Sequence, residues 1–586
     1  MISALKTVWP YMRRYRVALT LGLLALVLKD LAGAVIPLIT RAGVDTVTQG
    51  RGLARLWWVC AAILATALFK GFFQYWMRVL LVGLSRDVEF DIRNDLFARL
   101  VSLNHDFYAR LRTGDLMARA TNDLNAVRMM LGPAMMYWAE TSLTFVLALG
   151  IMAAVDWRLT LWALSPTPLV SVAVVFFGRQ IHSRFEKIQG LFSDISSRVQ
   201  ENLNGARVLR AYVQETAELE RFAALNREFI AQNIGLARLS SAFMPLLQAL
   251  IGFTFLMVLF IGGLRLMAHS LSLGSFVMFN FYMGTLIWPM IAFGWVVNLM
   301  ERGTASLERI QKIMRERPSI AAPAHPLPMP AAFDLSFQAV AMDFGAAQNG
   351  EEGVRRALDG IHLDIPEGAV IAVVGRTGSG KSTLVNLIPR LYDSTSGSVL
   401  LAGADLRAYD PADIRRAIGY VPQETFLFSA SLAENIALGA PHATTEEIRA
   451  AAEMAGLAPD LETFPQGLQT EVGERGLTLS GGQKQRAAIA RALVRNPRIL
   501  ILDDALSAVD TVTEERILAS LLTFMRGRTT ILISHRVSTV RLAERIYVLD
   551  EGRIVEAGSH DELLAAGGYY ADLNQKQLLE EELEQI

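Results

Sequence analysis

The sequence predicts a multi-domain fold: an all-α bundle of six long transmembrane helices followed by an α/β domain built around a phosphate-binding loop. Three observations predict it. The 586 residues are 52% hydrophobic and only 19% charged, with a mean hydropathy of +0.32, so part of the chain belongs in lipid. Six apolar runs of membrane-spanning length fill the first half. The second half alternates short β-branched runs with helical ones, and one strand ends in Gly375-Arg376-Thr377-Gly378-Ser379-Gly380-Lys381-Ser382-Thr383. A net charge of -1 offers no basic surface, so no nucleic-acid partner is expected. Cys60 is the only cysteine, which excludes an intrachain disulfide or cysteine-ligated zinc.

Taken in order, the basic N-terminus (Lys6, Arg13, Arg14, Arg16) leads into apolar runs at about 17–40, 57–83, 133–155, 159–178, 243–264 and 271–299. Only helices satisfy their own backbone over such lengths in lipid. The first run is too long, and lacks a small-residue cleavage site, to be a removable signal; it is expected to stay in the membrane. The connections at roughly 84–132 and 179–242 are rich in arginine and face the cytoplasm, whereas those after runs one, three and five are short and external. Apolar residues at helical spacing (Val88, Ile92, Leu96, Leu100; Leu203, Ala206, Leu209, Val213) predict helices that continue far below the bilayer. Lys29, Asp30, Lys70 and Glu140 fall inside apolar runs, as a polar patch on a translocation pathway or as internal pairs that hold the bundle. Phe279, Phe281, Tyr282 and Trp288 line an aromatic cavity or simply pack.

A proline-rich spacer, Pro318 to Pro330, marks the boundary. The division predicted is a membrane domain at 1–315, a linker at 316–331, a nucleotide-binding domain at 332–573 and a tail at 574–586. From Phe333 onward the alternation is that of a parallel sheet with helical crossovers. The strand Ala369 to Val374, the glycine turn and the helix that opens near Lys381 fit the phosphate-loop pattern G-x-x-x-x-G-K-[ST]. Its glycines let backbone N–H groups curl around an anion, Lys381 reaches the β and γ phosphates, and Ser382 holds Mg²⁺. Asp503 ends the strand Arg498 to Asp503, where a carboxylate holds nucleotide-bound magnesium. His535 follows the strand Thr529 to Ile533 at the same edge of the sheet. A second anion-binding helix start, Ser480-Gly481-Gly482-Gln483, lies about a hundred residues from the first, and one nucleotide cannot easily use both from one chain.

At Leu479 to Arg486, LSGGQKQR, the sequence resembles the ATP-binding cassette transporters, and the resemblance to their six-helix exporter half-transporters covers nearly the whole chain. It implies that Ser480 to Gln483 closes over ATP held by the other subunit's phosphate loop. Gln423, in YVPQETFLF, resembles the glutamine that contacts magnesium and the membrane domain, Asp510 the aspartate of the following loop, and His535 the switch histidine at the γ-phosphate. Thr470 to Gly476 resembles a segment that marks exporters, and Thr113 to Val127 and Glu201 to Glu215 resemble the regions containing coupling helices.

Two positions depart from the family pattern. Phe344 stands where a tyrosine commonly stacks on adenine, keeping the ring and losing the hydroxyl. Asp504 stands where a glutamate polarises the attacking water. One methylene fewer shifts the carboxylate by about 1 Å, a misplacement that costs roughly a hundredfold in rate. In the family such an aspartate commonly marks one half of a heterodimer, and the rival is a homodimer in which Asp504 still works. The resemblance therefore implies ATP- and Mg²⁺-dependent export of amphipathic small molecules, lipids or peptides across the cytoplasmic membrane by alternating access. The partner is a second half-transporter, and the nucleotide-binding domain is cytoplasmic. A non-pumping channel or regulator on the same scaffold is disfavoured by the absence of a long regulatory insertion. The tail NQKQLLEEELEQI reads as a charged helix end, with no function assigned.

Overall fold

The computed structural model describes residues 2–111, 113–345, 355–473 and 479–584. They form two compact units, one of Met1–Val101 and Gly114–Glu316, the other of Ser102–Thr113 and Arg317–Ile586.

The first unit is helical throughout. Its long helices are Arg16–Thr48, Leu53–Ser102, Met135–Leu164, Thr167–Asn204, Glu215–Met267 and Leu273–Arg315. At 1.5 Å per residue, the 50 residues of the second and the 53 of the fifth reach about 75–80 Å, more than twice the hydrocarbon thickness of a bilayer. Among the described residues, five helical stretches are long and apolar enough to cross a membrane, and Thr167–Asn204 is not one of them. The reason lies in two breaks. Asp156 leaves helical geometry (φ -156°, ψ 98°) and accepts the N–H groups of Arg158 and Leu159, both at 3.0 Å. A second break at Ser165 and Pro166 then divides the fourth apolar run between two helical pieces.

Side chains sort by face. Met152, Leu159, Val258, Met278 and Leu286 fill one interior cluster, whereas Leu24, Trp57, Leu64, Phe72 and Leu259 lie exposed, the face that lipid solvates. Two ties join the external ends of the helices: Asp45 accepts Ser272 Oγ (3.1 Å) and the Gly274 N–H (2.9 Å), and Arg265 pairs with Asp156. The aromatic set of the sixth helix divides. Phe279 and Tyr282 are buried in the interior cluster, and Phe281 and Trp288 are exposed, so the four do not line one cavity. Tyr282 packs with its hydroxyl donated to the Ala34 carbonyl at 2.5 Å.

Among the described residues, the second unit is built on ten strands: β1 (Leu335–Phe344), β2 (Arg355–Ile365), β3 (Val370–Val374), β4 (Ser396–Leu401), β5 (Ala404–Asp405), β6 (Ile418–Val421), β7 (Ile499–Asp503), β8 (Thr529–Ile533), β9 (Arg545–Asp550) and β10 (Arg553–Gly558). One sheet has the order β2-β1-β4-β5 and is antiparallel; the other runs β10-β9-β3-β8-β7-β6, parallel from β9 to β6. Period-two alternation makes two cores. Ile371, Val373, Ile499, Ile501 and Ile531 face the antiparallel sheet, while Ala372, Val374, Leu500, Leu502 and Leu532 face the helices. The short helix His105–Arg110 belongs to this unit, immediately before the Thr113 to Val127 stretch that resembles a coupling region.

Candidate functional site

Parallel strands deliver their carboxyl ends to one edge of a sheet, and the candidate residues gather there. β3 runs into the glycine loop, and the geometry explains its glycines. A Cβ on Gly375 (φ +151°) would sit 2.0 Å from the Leu549 carbonyl, and one on Gly380 (φ +106°) 2.5 Å from the Ala357 carbonyl. The helix Lys381–Asn386 starts directly after Gly380, and the N–H groups of a first helical turn lack intrahelical partners. Lys381 is buried, and its Nζ donates to the Gly375 and Arg376 carbonyls, each at 2.8 Å. Burial pulls its pKa down, with Asp503 and Asp504 opposing. Among the described residues the buried Ser379 hydroxyl has no hydrogen-bond partner, an orphan polar atom that an anion in the loop would satisfy.

The neighbouring strand ends bring the acids. Asp503 is buried, and Ser382 hydrogen-bonds it; burial raises its pKa, and the Ser382 bond, Lys381 and His535 draw it back. A buried carboxylate paired with a hydroxyl is a donor set that fits Mg²⁺. The next residue, Asp504, has a left-handed backbone (φ 48°), and its N–H donates to the Ile533 carbonyl of β8 at 2.8 Å. Asp504 and the His535 loop are thereby locked to adjacent strands. The resulting open cleft, about 870 Å³, is lined by Phe344, Thr377, Gly378, Gly380, Lys381, Ser382, Thr383, Gln423, Asp503, Asp504 and His535, together with Arg356, Ala357, Glu551 and Gly552.

Ser480, Gly481, Gly482 and Gln483 do not line this cleft, nor does Asp510. Ser480 and Gln483 instead form a reciprocal cap on the helix Gly481–Val494, with Ser480 N–H donating to Gln483 Oε1 at 2.9 Å. Gln483 and Arg486 both hold Asp460, at 2.9 and 2.7 Å. Gly482 is required because a Cβ there would come within 2.9 Å of the Ala508 carbonyl. Asp510 caps the helix Thr511–Met525 by accepting the Thr513 N–H at 2.9 Å. Of the exporter-like segment Thr470 to Gly476, residues 474–476 lie outside the described residues; Thr470 and Val472 bond the backbone of Leu432 and Ala430.

Sequence reasoning did not single out Tyr392. Its ring meets Phe344 edge-on at 5.3 Å and His105 edge-on at 5.6 Å. It also missed Gln485, whose buried amide braces the loop after Asp504.

A glycine loop that opens a helix, a buried carboxylate and a histidine gathered at one sheet edge, on a chain with helices long and apolar enough to cross a membrane, fit the class of ATP-hydrolysing membrane transporters. The comparisons agree. Residues 19–290 match the ABC transporter transmembrane region family, and 358–507 match the ABC transporter family. The chain is 35% identical over 584 residues to the probable multidrug resistance ABC transporter ATP-binding/permease protein YheI of Bacillus subtilis, covering 99% of this chain and 98% of that one. It is 36% identical over 582 residues to the multidrug resistance-like ATP-binding protein MdlA of Escherichia coli, covering 98% and 97%. It is 33% identical over 582 residues to the ATP-dependent lipid A-core flippase of Syntrophus aciditrophicus, covering 99% and 94%. The solved structure of a bacterial Atm1-family ABC exporter with ATP bound matches with a TM-score of 0.76 at 29% identity, over 97% of this chain and 98% of that one. The chain belongs to the ABC transporter family. It is an exporter-type half-transporter, a multi-pass inner-membrane protein whose cytoplasmic ATP-binding domain couples ATP hydrolysis to transport.

Proposed function

We propose that this chain is one half of a heterodimeric exporter that moves amphipathic small molecules, lipids or peptides outward by alternating access, with Asp504 marking the slow member of two composite ATP sites. The observation that carries the dimer is the separation of the two anion-binding helix starts. Lys381 and Ser382 line the cleft with Asp503, Asp504 and His535, while Ser480 to Gln483 lies outside it, so a facing cassette must complete each site. Exposed apolar residues on the cytoplasmic stretches (Phe185, Phe192, Leu203, Val208, Leu219) give that partner a surface to cover. The cargo class follows the names of the relatives, two multidrug proteins and a lipid flippase.

In this reading Phe344 stacks on adenine, the loop from Gly375 to Thr383 binds phosphates, and Ser382, Gln423 and Asp503 hold Mg²⁺, which supplies charge neutralisation between the phosphates. His535 contacts the γ-phosphate and Asp510 borders the facing site. Closure of the paired domains shifts the membrane helices because ATP has higher affinity for the closed state. The slow-site assignment rests on Asp504: its main chain is fixed to β8, so no small backbone shift restores the reach of the missing methylene.

The test is ATP-driven uptake of an amphipathic dye into inverted proteoliposomes. The chain alone should bind ATP with near-background hydrolysis, and adding a second half-transporter carrying glutamate after its magnesium aspartate should restore both hydrolysis and uptake. Full uptake by the chain alone would instead establish the homodimer, and hydrolysis without any uptake would remove the export reading.

A further inference from the structure

The C-terminal helix, a charged helix end by sequence, reaches back to the loop that carries His535. This helix, Tyr569–Glu584, is anchored where it begins. Glu556 accepts the N–H groups of Tyr569 (2.6 Å) and Tyr570 (3.3 Å), the Tyr570 ring is fully buried in the helix-side core, and its hydroxyl bonds His560 Nδ1 at 2.7 Å. Leu573 packs on the same core. Positions 570, 573 and 577 share one helix face, so the anchor aims Gln577 at the protein. There its amide brackets Arg536: Nε2 donates to the His535 carbonyl, and Oε1 accepts the Val537 N–H at 2.7 Å. Val537 opens a four-residue helix, whose first N–H groups lack intrahelical acceptors, and Gln577 supplies one.

The opposite side of the loop is held independently. Arg536 bonds the Val509 carbonyl (3.2 Å) and the buried Glu514, which also accepts Thr539 Oγ1 at 2.7 Å. The histidine's backbone is therefore clamped between the loop before Asp510 and the C-terminal helix. That helix also meets the phosphate loop, with the Arg376 guanidinium 5.8 Å from the centre of the Tyr569 ring. From these contacts we propose that Gln577 is a positioning residue for His535, setting the reach of the imidazole toward the nucleotide without touching it. The proposal rests on the reading of His535 as the γ-phosphate contact. Its physical basis is that one hydrogen bond fixes the carbonyl of His535 itself and the other the N–H two residues on, so the main chain leaving the imidazole is held, and a misplacement of about 1 Å at a reacting centre costs up to about a hundredfold in rate.

The test uses the full chain in nanodiscs, assembled as the working dimer, with single-turnover hydrolysis so that a slow site is read as well as a fast one. Gln577→Met keeps the volume and removes both hydrogen bonds. The expected result is a hydrolysis rate about tenfold lower, affinity for a non-hydrolysed ATP analogue within twofold, and faster amide exchange at Val537. His535→Ala combined with Gln577→Met should be no slower than His535→Ala alone, because both act through one group. Gln577→Glu keeps the acceptor for Val537 but opposes the His535 carbonyl, so it should slow hydrolysis while Val537 stays protected; it serves if the methionine variant fails to fold. Hydrolysis within twofold of the parent in Gln577→Met, or losses that multiply in the double variant, would overturn the proposal. A His535→Ala protein with unchanged hydrolysis would sink the reading of the nucleotide site itself, and the positioning role with it.

Discussion

Gln485 and Asp504 stand on different elements, yet the side chain of one holds the main chain of the other. The Gln485 amide donates to the Asp504 carbonyl at 3.4 Å and to Ser507 Oγ at 2.9 Å, and it accepts the Ala508 N–H at 2.8 Å. Gln485 lies one turn into the helix that Ser480 caps. A single buried amide thus joins the helix start offered to a facing site with the backbone of the acid in this chain's own cleft. Gln485→Met leaves the Ala508 N–H without its partner, a loss of about 1–3 kcal/mol. Hydrolysis should fall about tenfold and the melting temperature by several degrees, with ATP affinity little changed, as measured by ATPase assay, scanning calorimetry and titration. An unchanged rate would show that the two sites are not linked through this amide.

Asp504→Glu is expected to raise hydrolysis by up to about a hundredfold at this chain's own site, by restoring the reach of the carboxylate. Single-turnover hydrolysis in the assembled dimer measures it. A gain of less than about threefold would mean that aspartate already serves as well as glutamate, and the slow-site reading would fall.

Much of this organisation was legible from the residues alone, because period and punctuation are local signals. The strands ending at Val374, Asp503 and Ile533 announced themselves as short β-branched runs, and the phosphate loop by its glycines. The third and fourth apolar runs were separated correctly near Asp156, but the further break at Ser165 and Pro166 was not foreseen. Gln485, Tyr392 and Gln577 carried no signal of their own. Each is an ordinary residue until tertiary packing brings it against atoms far along the chain, as Gln485 meets Asp504 across 19 positions, Gln577 meets Val537 across 40, and Tyr392, in the loop before β4, meets the ring of Phe344 on β1. Contacts of that range are set by topology, which spacing along the chain does not encode.

On the proposed reading, in which Phe344 stacks on adenine, the edge-on chain of rings Phe344, Tyr392 and His105 makes nucleotide affinity depend on residues outside the cleft's lining. Phe344→Ala removes a base-stacking face, and stacking of an aromatic ring on a base contributes about 1–3 kcal/mol, so ATP affinity should drop about tenfold or more. Tyr392→Leu keeps apolar bulk but loses both edge contacts, and a loss of about threefold is expected by fluorescent-nucleotide titration. Equal affinity in Phe344→Ala and the parent would move adenine elsewhere.

Acid sensitivity has a local source in Asp405. Burial raises its carboxyl pKa, but hydrogen bonds from the Arg407 side chain and backbone N–H more than offset this and leave it below the ordinary value of 3.8. A depressed acid contributes stability above its unfolded pKa and loses it as pH falls through the folded one. Asp405→Asn retains a cap acceptor and removes the titration. Its melting temperature should start lower at neutral pH and fall less steeply below about pH 4 than that of the parent. Parallel curves would assign the acid limb to other carboxylates.

The buried charges of the membrane unit pair with one another. Lys29 Nζ lies 2.9 Å from Asp30 and contacts Glu140 of the third membrane helix, with Lys29 and Asp30 both almost fully buried. Lys70 stands nearby, its Nζ 3.5 Å from where a Cβ on Gly33 would be. An ion pair enclosed in this way favours the internal-pair reading over a polar patch on the pathway. Removing one partner leaves the remaining charge buried without compensation, at a cost of about 3–5 kcal/mol. Lys29→Met should therefore lower thermal stability sharply, and Asp30→Ala should do so while leaving the range of transported compounds unchanged. Both are checked by melting in detergent and by dye uptake into proteoliposomes. A Lys29→Met, Asp30→Leu double variant that regains stability would support pairing, because it removes the two buried opposite charges together. An Asp30→Ala protein of parental stability with an altered cargo range would place the carboxylate on the translocation pathway instead.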